Sequence, residues 1–359
     1  MVQTKKSMSS HVVTTGTARY ECRIERGILS RIAEFLPAKV GKVFVVTTAD
    51  VWRLHGAHIT FPHELILFPG GEPNKRLAVV EQMAEEMLAK GADRSSIVIA
   101  FGGGIVGDTG GFLAAMFMRG IPVIQVPTTL LAQVDAAIGG KTGVNLASGK
   151  NLAGAFHQPL AVLIDPGVLA TLPEREYRAG LFEVVKYGII SSPKLFGLLA
   201  DHSADVLAQK PEAVDFIVDD SVRIKAEVVT ADEKESDLRR ILNYGHTLGH
   251  ALEAETNYTR FLHGEAVAYG MNAAAYLAER LSILPKADAD EMRRVTNLYG
   301  PIPALNGLSG ETLASHILKD KKTIQGKTHF VLAESIGRVR VVSGIAGSDV
   351  VAAAAAALQ

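Results

Sequence analysis

Five short, predominantly apolar runs punctuate the first half of the chain: Val43–Val46, Leu65–Phe68, Ile97–Phe101, Val123–Val126 and Val162–Ile164. Each has the length of a strand. A run that is apolar at nearly every position belongs to a strand buried on both faces, whereas a half-exposed strand alternates. Between several of them lie helix-length segments such as Leu77–Lys90, whose apolar residues recur at three- and four-residue spacing. The pattern predicts a parallel sheet with helices on both sides. Ahead of it, Arg19–Ile24 alternates like a more exposed strand.

Beyond Pro166 the pattern changes. Long Ala/Leu/Glu/Lys/Arg segments dominate from Arg175 to Leu284, and Pro285, Pro301 and Pro303 divide the last helices. A late pair of β-like runs, Thr328–Leu332 and Arg338–Val342, flanks Gly337 and predicts a small hairpin. The Ala-rich Val350–Leu358 predicts a terminal helix. The change of texture predicts a domain boundary near Pro166–Pro173, giving domains 1–168 and 169–359. At 359 residues, two domains also match the usual domain size.

Composition narrows the function. Lys and Arg number 37 against 38 Asp and Glu, a net charge of −1, so the basic excess of a phosphate-backbone binder is absent and nucleic acid is not the expected partner. Hydrophobic residues at 48% and charged residues at 21% describe an ordinary globular chain. A single cysteine, Cys22, excludes an intramolecular disulfide and fits a reducing compartment. The start, MVQTKKSMSSHVV, has no secretory h-region, and no uninterrupted apolar run of membrane-spanning length occurs. The expectation is a soluble cytoplasmic protein without a membrane partner.

Four segments carry chemistry. Phe101–Phe112 places three adjacent glycines and Asp108 between a strand and a helix, where backbone amides can meet phosphate; it lacks the G-x-G-x-x-G spacing, and a tight strand–helix turn is the plainer alternative. Pro69–Lys75 also follows a strand and offers Glu72 to ribose hydroxyls and Lys75 to an anion, although alone it is a polar turn. Two such loops at one sheet edge say more than either alone. In Val126–Asn145 and Ser148–Asn151, hydroxyls, Asp135, paired glycines, Lys141 and Lys150 crowd an otherwise apolar stretch, which suits an anionic ligand better than a solvated loop. In Asn243–His250, His246 and His250 stand at i and i+4, on one helical face. With His263 and the apolar-flanked Glu183 they make four candidates for the three N/O ligands of a catalytic Zn²⁺, against the alternative of surface histidines. The Glu of H-E-x-x-H is missing, which disfavours zinc-protease chemistry.

Gly102–Phe112, Gly139–Asn145, Gly149–Asn151, Glu183–Lys186 and Asn243–His250 with His263–Glu265 together resemble the 3-dehydroquinate synthase family, in the family's order and over nearly the whole chain. The resemblance implies a Rossmann-like α/β nucleotide-binding domain, an all-α metal-binding domain and an active site between them. It implies NAD⁺ and Zn²⁺, with Co²⁺ able to take its place, and conversion of 3-deoxy-D-arabino-heptulosonate 7-phosphate to 3-dehydroquinate and phosphate in the shikimate route. The family's reaction oxidises C5 transiently, eliminates phosphate, re-reduces, opens the ring and closes it by an aldol step. It is a lyase reaction.

By the same resemblance Glu183, His246 and His263 are the metal ligands, and His250 faces the substrate in a phosphate-binding or proton-transfer role. Glu72, Lys75, Gly103, Gly104, Ile105, Val106, Gly107, Asp108, Thr128, Thr129, Lys141, Lys150 and Thr171 are implied for NAD⁺. Asp135, Lys141, Asn151, Lys186, Lys225, Arg239, Asn243 and His250 are implied for the substrate, with Lys141, Lys186, Arg239, Asn243 and His250 catalytic. Arg119 resembles an arginine that reaches the neighbouring subunit's substrate, which implies a homodimer. Asp320–Lys322 resembles a late basic motif that adds one lysine, Lys321 or Lys322. Thr48 stands where an Asp is common, and Ala136–Ala137 where a Ser pair is frequent. Rival readings are a cyclase acting on sedoheptulose 7-phosphate, of the 2-epi-5-epi-valiolone synthase type, a metal-dependent polyol or glycerol-phosphate dehydrogenase, and a non-catalytic metabolite-binding relative. The intact Gly139–Asn145 run favours the dehydroquinate substrate over the first.

Overall fold

A computed structural model describes residues 8–320 and 328–359. The chain divides into two compact units: residues up to Pro173 together with Ser221–Glu233, and Glu174–Asp220 together with the chain from Lys234 onward. The long helix Pro211–Ala231 therefore gives its first part to the second unit and its last part to the first.

Among the described residues, nine strands lie in the first unit: β1 (Met8–Thr14), β2 (Arg19–Glu25), β3 (Val43–Thr47), β4 (Glu64–Leu67), β5 (Ile97–Gly102), β6 (Val123–Pro127), β7 (Lys141–Leu146), β8 (Gly149–Phe156) and β9 (Ala161–Ile164). Seven form one sheet in the order β1-β2-β9-β6-β5-β3-β4. Every neighbouring pair is parallel except β1–β2, which is antiparallel. The apolar runs are explained by burial on two faces. Phe44, Val46, Val98 and Ala100 pack with Val80, Met83 and Leu113, while Val43, Val45, Ile97 and Ile99 pack with Ile28, Leu29 and Ile32. Two consecutive residues of one strand thus enter two different cores.

The sequence pattern anticipates five strands of this sheet and Arg19–Ile24 beside them. It misses β1, whose Ser9, Ser10 and His11 give no apolar run. It also misses the antiparallel β7–β8 hairpin, read as a polar ligand loop. There Gly149, Lys150 and Asn151 start a strand whose burial is shallow, so side chains carry little β signal.

The second unit is mostly helical, with helices at Glu174–Ile190, Pro193–Asp201, His246–Glu255, His263–Arg280, Lys286–Leu298, Gly310–Asp320 and Gly347–Ala356 among its elements. It also holds the expected hairpin, β10 (His329–Ser335) with β11 (Arg338–Ser343). Local chemistry sets some starts: Ser192 Oγ accepts from Leu195 N at 3.1 Å, and Pro193 occupies a first-turn position whose amide would have no helical partner. Helix Glu174–Ile190 is enclosed, with every residue from Ala179 to Ile190 buried. No helix among the described residues is long and apolar enough to cross a membrane.

Candidate active site

In the first unit the sheet order reverses between β3 and β5. The connection from β3 runs outward to β4, and that from β5 runs the other way to β6. Open α/β sheets bind ligands outside the carboxyl ends of strands at such a reversal. β5 ends at Gly102, and helix Gly104–Met116 begins two residues on, capped by Gly103 with no side-chain bond to the first turn. The first-turn amides of Gly104, Ile105 and Val106 therefore sit at the positive end of the helix dipole. A Cβ on Gly103 would lie 3.0 Å from Thr129 Cγ2, so a side chain there would crowd the cradle where Thr128 and Thr129 follow β6. That cradle fits a dinucleotide pyrophosphate.

The loop after β4 joins the same edge. Lys75 is buried, and its Nζ donates to Asp108 Oδ2 at 2.5 Å and to Asn151 Oδ1 at 2.6 Å. Burial pushes the Asp108 carboxyl above its usual range, and the Lys75 ammonium pulls against that. Glu72 Oε1 accepts from Asn145 Nδ2 at 2.8 Å and stands 3.8 Å from Lys150 Nζ. Elsewhere in the unit, Lys225 Nζ lies 2.7 Å from Asp135 Oδ1. Thr171 Oγ1 bonds His55 Nε2 at 2.9 Å. Lys141 is exposed at the start of β7. Arg119 is exposed and, with Met118, takes left-handed backbone angles (φ 72° and 49°).

The second unit brings together the expected ligand set. Glu183 is fully buried on helix Glu174–Ile190; His246 and His263 are each the first residue of their helices. A Cβ on Gly264 would lie 1.8 Å from the Ala179 carbonyl oxygen, so glycine lets the His263 helix start against the Glu183 helix. His246 Nε2 and His263 Nε2 are each 3.5 Å from Glu183 Oε1, and the three ligand atoms all lie within 4.8 Å of one another. Two ligands bound at about 2.1 Å to one tetrahedral Zn²⁺ are separated by about 3.4 Å, so the trio fits the ion and leaves a fourth position open. His246 Nδ1 is 3.1 Å from the Tyr244 carbonyl, which must accept, leaving Nε2 with its lone pair. Burial, chiefly, pushes His246 down to about 3, keeping it in the neutral form a metal needs. For His263 burial acts downward too, but hydrogen bonds to Glu183 and Glu253 outweigh it and hold the imidazolium up to about 10.

Around this trio, the Lys186 ammonium is buried and pairs with Glu183 Oε2. His250 is exposed, its ring edge-on to His246 with centroids 5.4 Å apart. Asn243 Nδ2 donates to Glu235 Oε1 at 2.5 Å, and Arg239 is fully buried. Lys321 and Lys322 lie outside the described residues.

Residues 65–179 match the family profile described as 3-dehydroquinate synthase N-terminal, and residues 180–323 the one described as 3-dehydroquinate synthase C-terminal. The chain belongs to the 3-dehydroquinate synthase family. A relative with that name from Solibacter usitatus (strain Ellin6076) is 62% identical over 343 residues, covering 94% of this chain and 96% of its own. Another, from Koribacter versatilis (strain Ellin345), is 48% identical over 353 residues, covering 95% and 96%. Among solved structures, 2-epi-5-epi-valiolone synthase from Streptomyces hygroscopicus subsp. jinggangensis 5008, with NAD⁺ and Zn²⁺ bound, superposes with a TM-score of 0.87 at 29% identity, covering 94% of this chain and 96% of that one.

Two residues with no assigned role in the sequence reading hold the family's motif residues in place. Asn145 bonds Glu72 through Nδ2 and receives Asn151 N at Oδ1, 2.8 Å away. Glu253 Oε2 lies 3.4 Å from His263 Nδ1. A spacing signal for Glu253 exists: it follows His246 by seven positions, on the same face of one helix.

Proposed function

We propose that the chain is a 3-dehydroquinate synthase, turning 3-deoxy-D-arabino-heptulosonate 7-phosphate into 3-dehydroquinate and inorganic phosphate, with NAD⁺ and a divalent ion, Zn²⁺ or Co²⁺, as cofactors. The observation that carries the reading is the convergence of Glu183, His246 and His263 from three helices on one point. The 62% identity to a relative of that name, over almost the whole chain, supports this substrate over that of the valiolone synthase, at 29%.

When bound, NAD⁺ supplies a reversible hydride acceptor and the metal a Lewis acid that acidifies a ligated hydroxyl. The chain's own part is binding and orientation. Glu183, His246 Nε2 and His263 Nε2 hold the ion. The amides from Gly103 to Gly107, the Lys75–Asp108 pair, Glu72, Thr128, Thr129, Lys141, Lys150 and Thr171 hold the dinucleotide, within a nucleotide-binding domain of residues 1–168. Lys141, Lys186, Lys225, Arg239, Asn151, Asn243 and Asp135 bind a substrate that carries both a carboxylate and a phosphate, whose charge the four cations match. His250 moves a proton at a ring nitrogen. Arg119 completes a neighbouring subunit's site in a cytoplasmic homodimer. The net reaction is loss of phosphate with no net redox change.

The test gives purified protein NAD⁺, Zn²⁺ and the heptulosonate phosphate and follows phosphate and dehydroquinate release. Turnover with sedoheptulose 7-phosphate alone, or steady accumulation of NADH, would sink the assignment.

A further inference from the structure

We propose that Glu253 is the positioning residue for His263, its carboxylate accepting from Nδ1 so that Nε2 is turned toward Glu183 and the metal. This rests on the ligand assignment made above. Glu253 is 3% exposed, and its Oε2 lies 3.4 Å from His263 Nδ1, while the other ring nitrogen lies 3.5 Å from Glu183 Oε1. The ring is therefore gripped at one nitrogen and presented at the other. His246 shows the same arrangement with a different acceptor: its Nδ1 is held by the Tyr244 carbonyl at 3.1 Å, and its Nε2 faces the same oxygen of Glu183. The two imidazoles need different devices because they sit differently. His246 is buried beside the backbone that holds it, whereas His263 is half-buried at the first position of its helix, and its Nδ1 is turned to a side-chain carboxylate instead. Glu253 comes from the helix that begins with His246, so one helix supplies one ligand and orients another. A partner that fixes the tautomer and aim of a ligating histidine typically contributes a factor of about 10–100 in metal affinity.

A competing use of the same atoms exists. His250, Glu253 and His263 also have ligand atoms within 4.8 Å of one another, as a cation site would. The two uses exclude each other, because His263 Nδ1 cannot both donate to Glu253 and ligate an ion.

The experiment titrates metal-free wild type, Glu253→Gln, Glu253→Leu and His263→Ala with Co²⁺ in competition with a chelator, and records the visible Co²⁺ spectrum and the far-ultraviolet circular dichroism. Glu253→Gln is expected to bind Co²⁺ about tenfold more weakly and Glu253→Leu up to about a hundredfold, with a shifted Co²⁺ band and unchanged dichroism. The Gln variant, of the same size, carries the test if the Leu variant does not fold. Affinity within twofold of wild type and an identical spectrum in Glu253→Gln, while His263→Ala has lost the ion, would overturn the positioning role alone. Full affinity in His263→Ala as well would overturn the ligand assignment and the proposal with it. Two Co²⁺ per wild-type chain, falling to one in Glu253→Gln with the tighter site intact, would give Glu253 to a second cation site instead.

Discussion

The ammonium of Lys75 lies 2.5 Å from the carboxylate of Asp108, tying the loop after β4 to the second turn of the helix after β5. Lys75 stands in a loop and Asp108 in a helix that glycines single out, and the buried Lys75 ammonium is turned to both Asp108 and Asn151.

Removing one partner of a buried pair leaves the other charge uncompensated. Asp108→Ala should destabilise the protein by about 3 kcal/mol, the lower end for such a break because Asp108 keeps some solvent contact. Urea denaturation measures this. The same variant should bind NAD⁺ more weakly, read by calorimetry; an unaltered midpoint and affinity would show that the pair holds nothing.

Metal dependence should be complete and local. Prolonged dialysis against a chelator is expected to abolish phosphate release, and Zn²⁺ or Co²⁺ should restore it. His263→Ala should purify folded but without stoichiometric metal, as judged by metal analysis and circular dichroism. Wild-type zinc content in that variant would contradict the trio.

His55 should make part of the stability pH-dependent. Burial, then the charge of His58, lowers its pKa from the usual 6.5, with Asp165 opposing. Below 6.5 the unfolded chain takes up the proton first, so this contribution is present above that pH and is lost as the pH falls toward the depressed folded value. His55→Gln should flatten the melting profile between about pH 7.5 and 5.5 relative to wild type. Parallel profiles would refute the effect.

Cys22 should be inert. It is fully buried in β2, and burial drives its thiol pKa far up, so the reactive thiolate is scarce. Iodoacetamide at mildly alkaline pH should leave the native protein unmodified and label it in denaturant, as mass spectrometry would show. Rapid native labelling would mean that the β1 edge peels readily from β2.

The legible parts of this molecule are those in which one residue type has one use. Val43–Val46 reads as a two-face strand because both faces are core, and Gly102–Gly104 reads as a ligand turn because a side chain there would collide. The hairpin at Lys141–Phe156 does not read as strands because its second strand is shallowly buried and begins with Gly149, Lys150 and Asn151, which carry little β signal. Glu183, His246 and His263 were found by residue type and by resemblance, since no spacing links a residue at 183 to two others beyond 240. Glu253 and Asn145 escaped because an orienting residue acts through its neighbours: the i, i+7 spacing of Glu253 from His246 marks a shared helix face but not a contact with His263, and Asn145 meets Glu72 and the Asn151 amide only once the chain is folded.

The last turns of helix Pro211–Ala231 have a consequence for the order in which the protein can be made. Ser221–Glu233 belong to the first unit, where Lys225 meets Asp135, but they follow a segment of the second. As the chain leaves the ribosome, the sheet can assemble while the last piece of its unit is still unsynthesised, and the first unit is completed only after the Glu183 helix has emerged. A single cut after Pro173 would accordingly yield a first fragment that no amount of refolding time could finish.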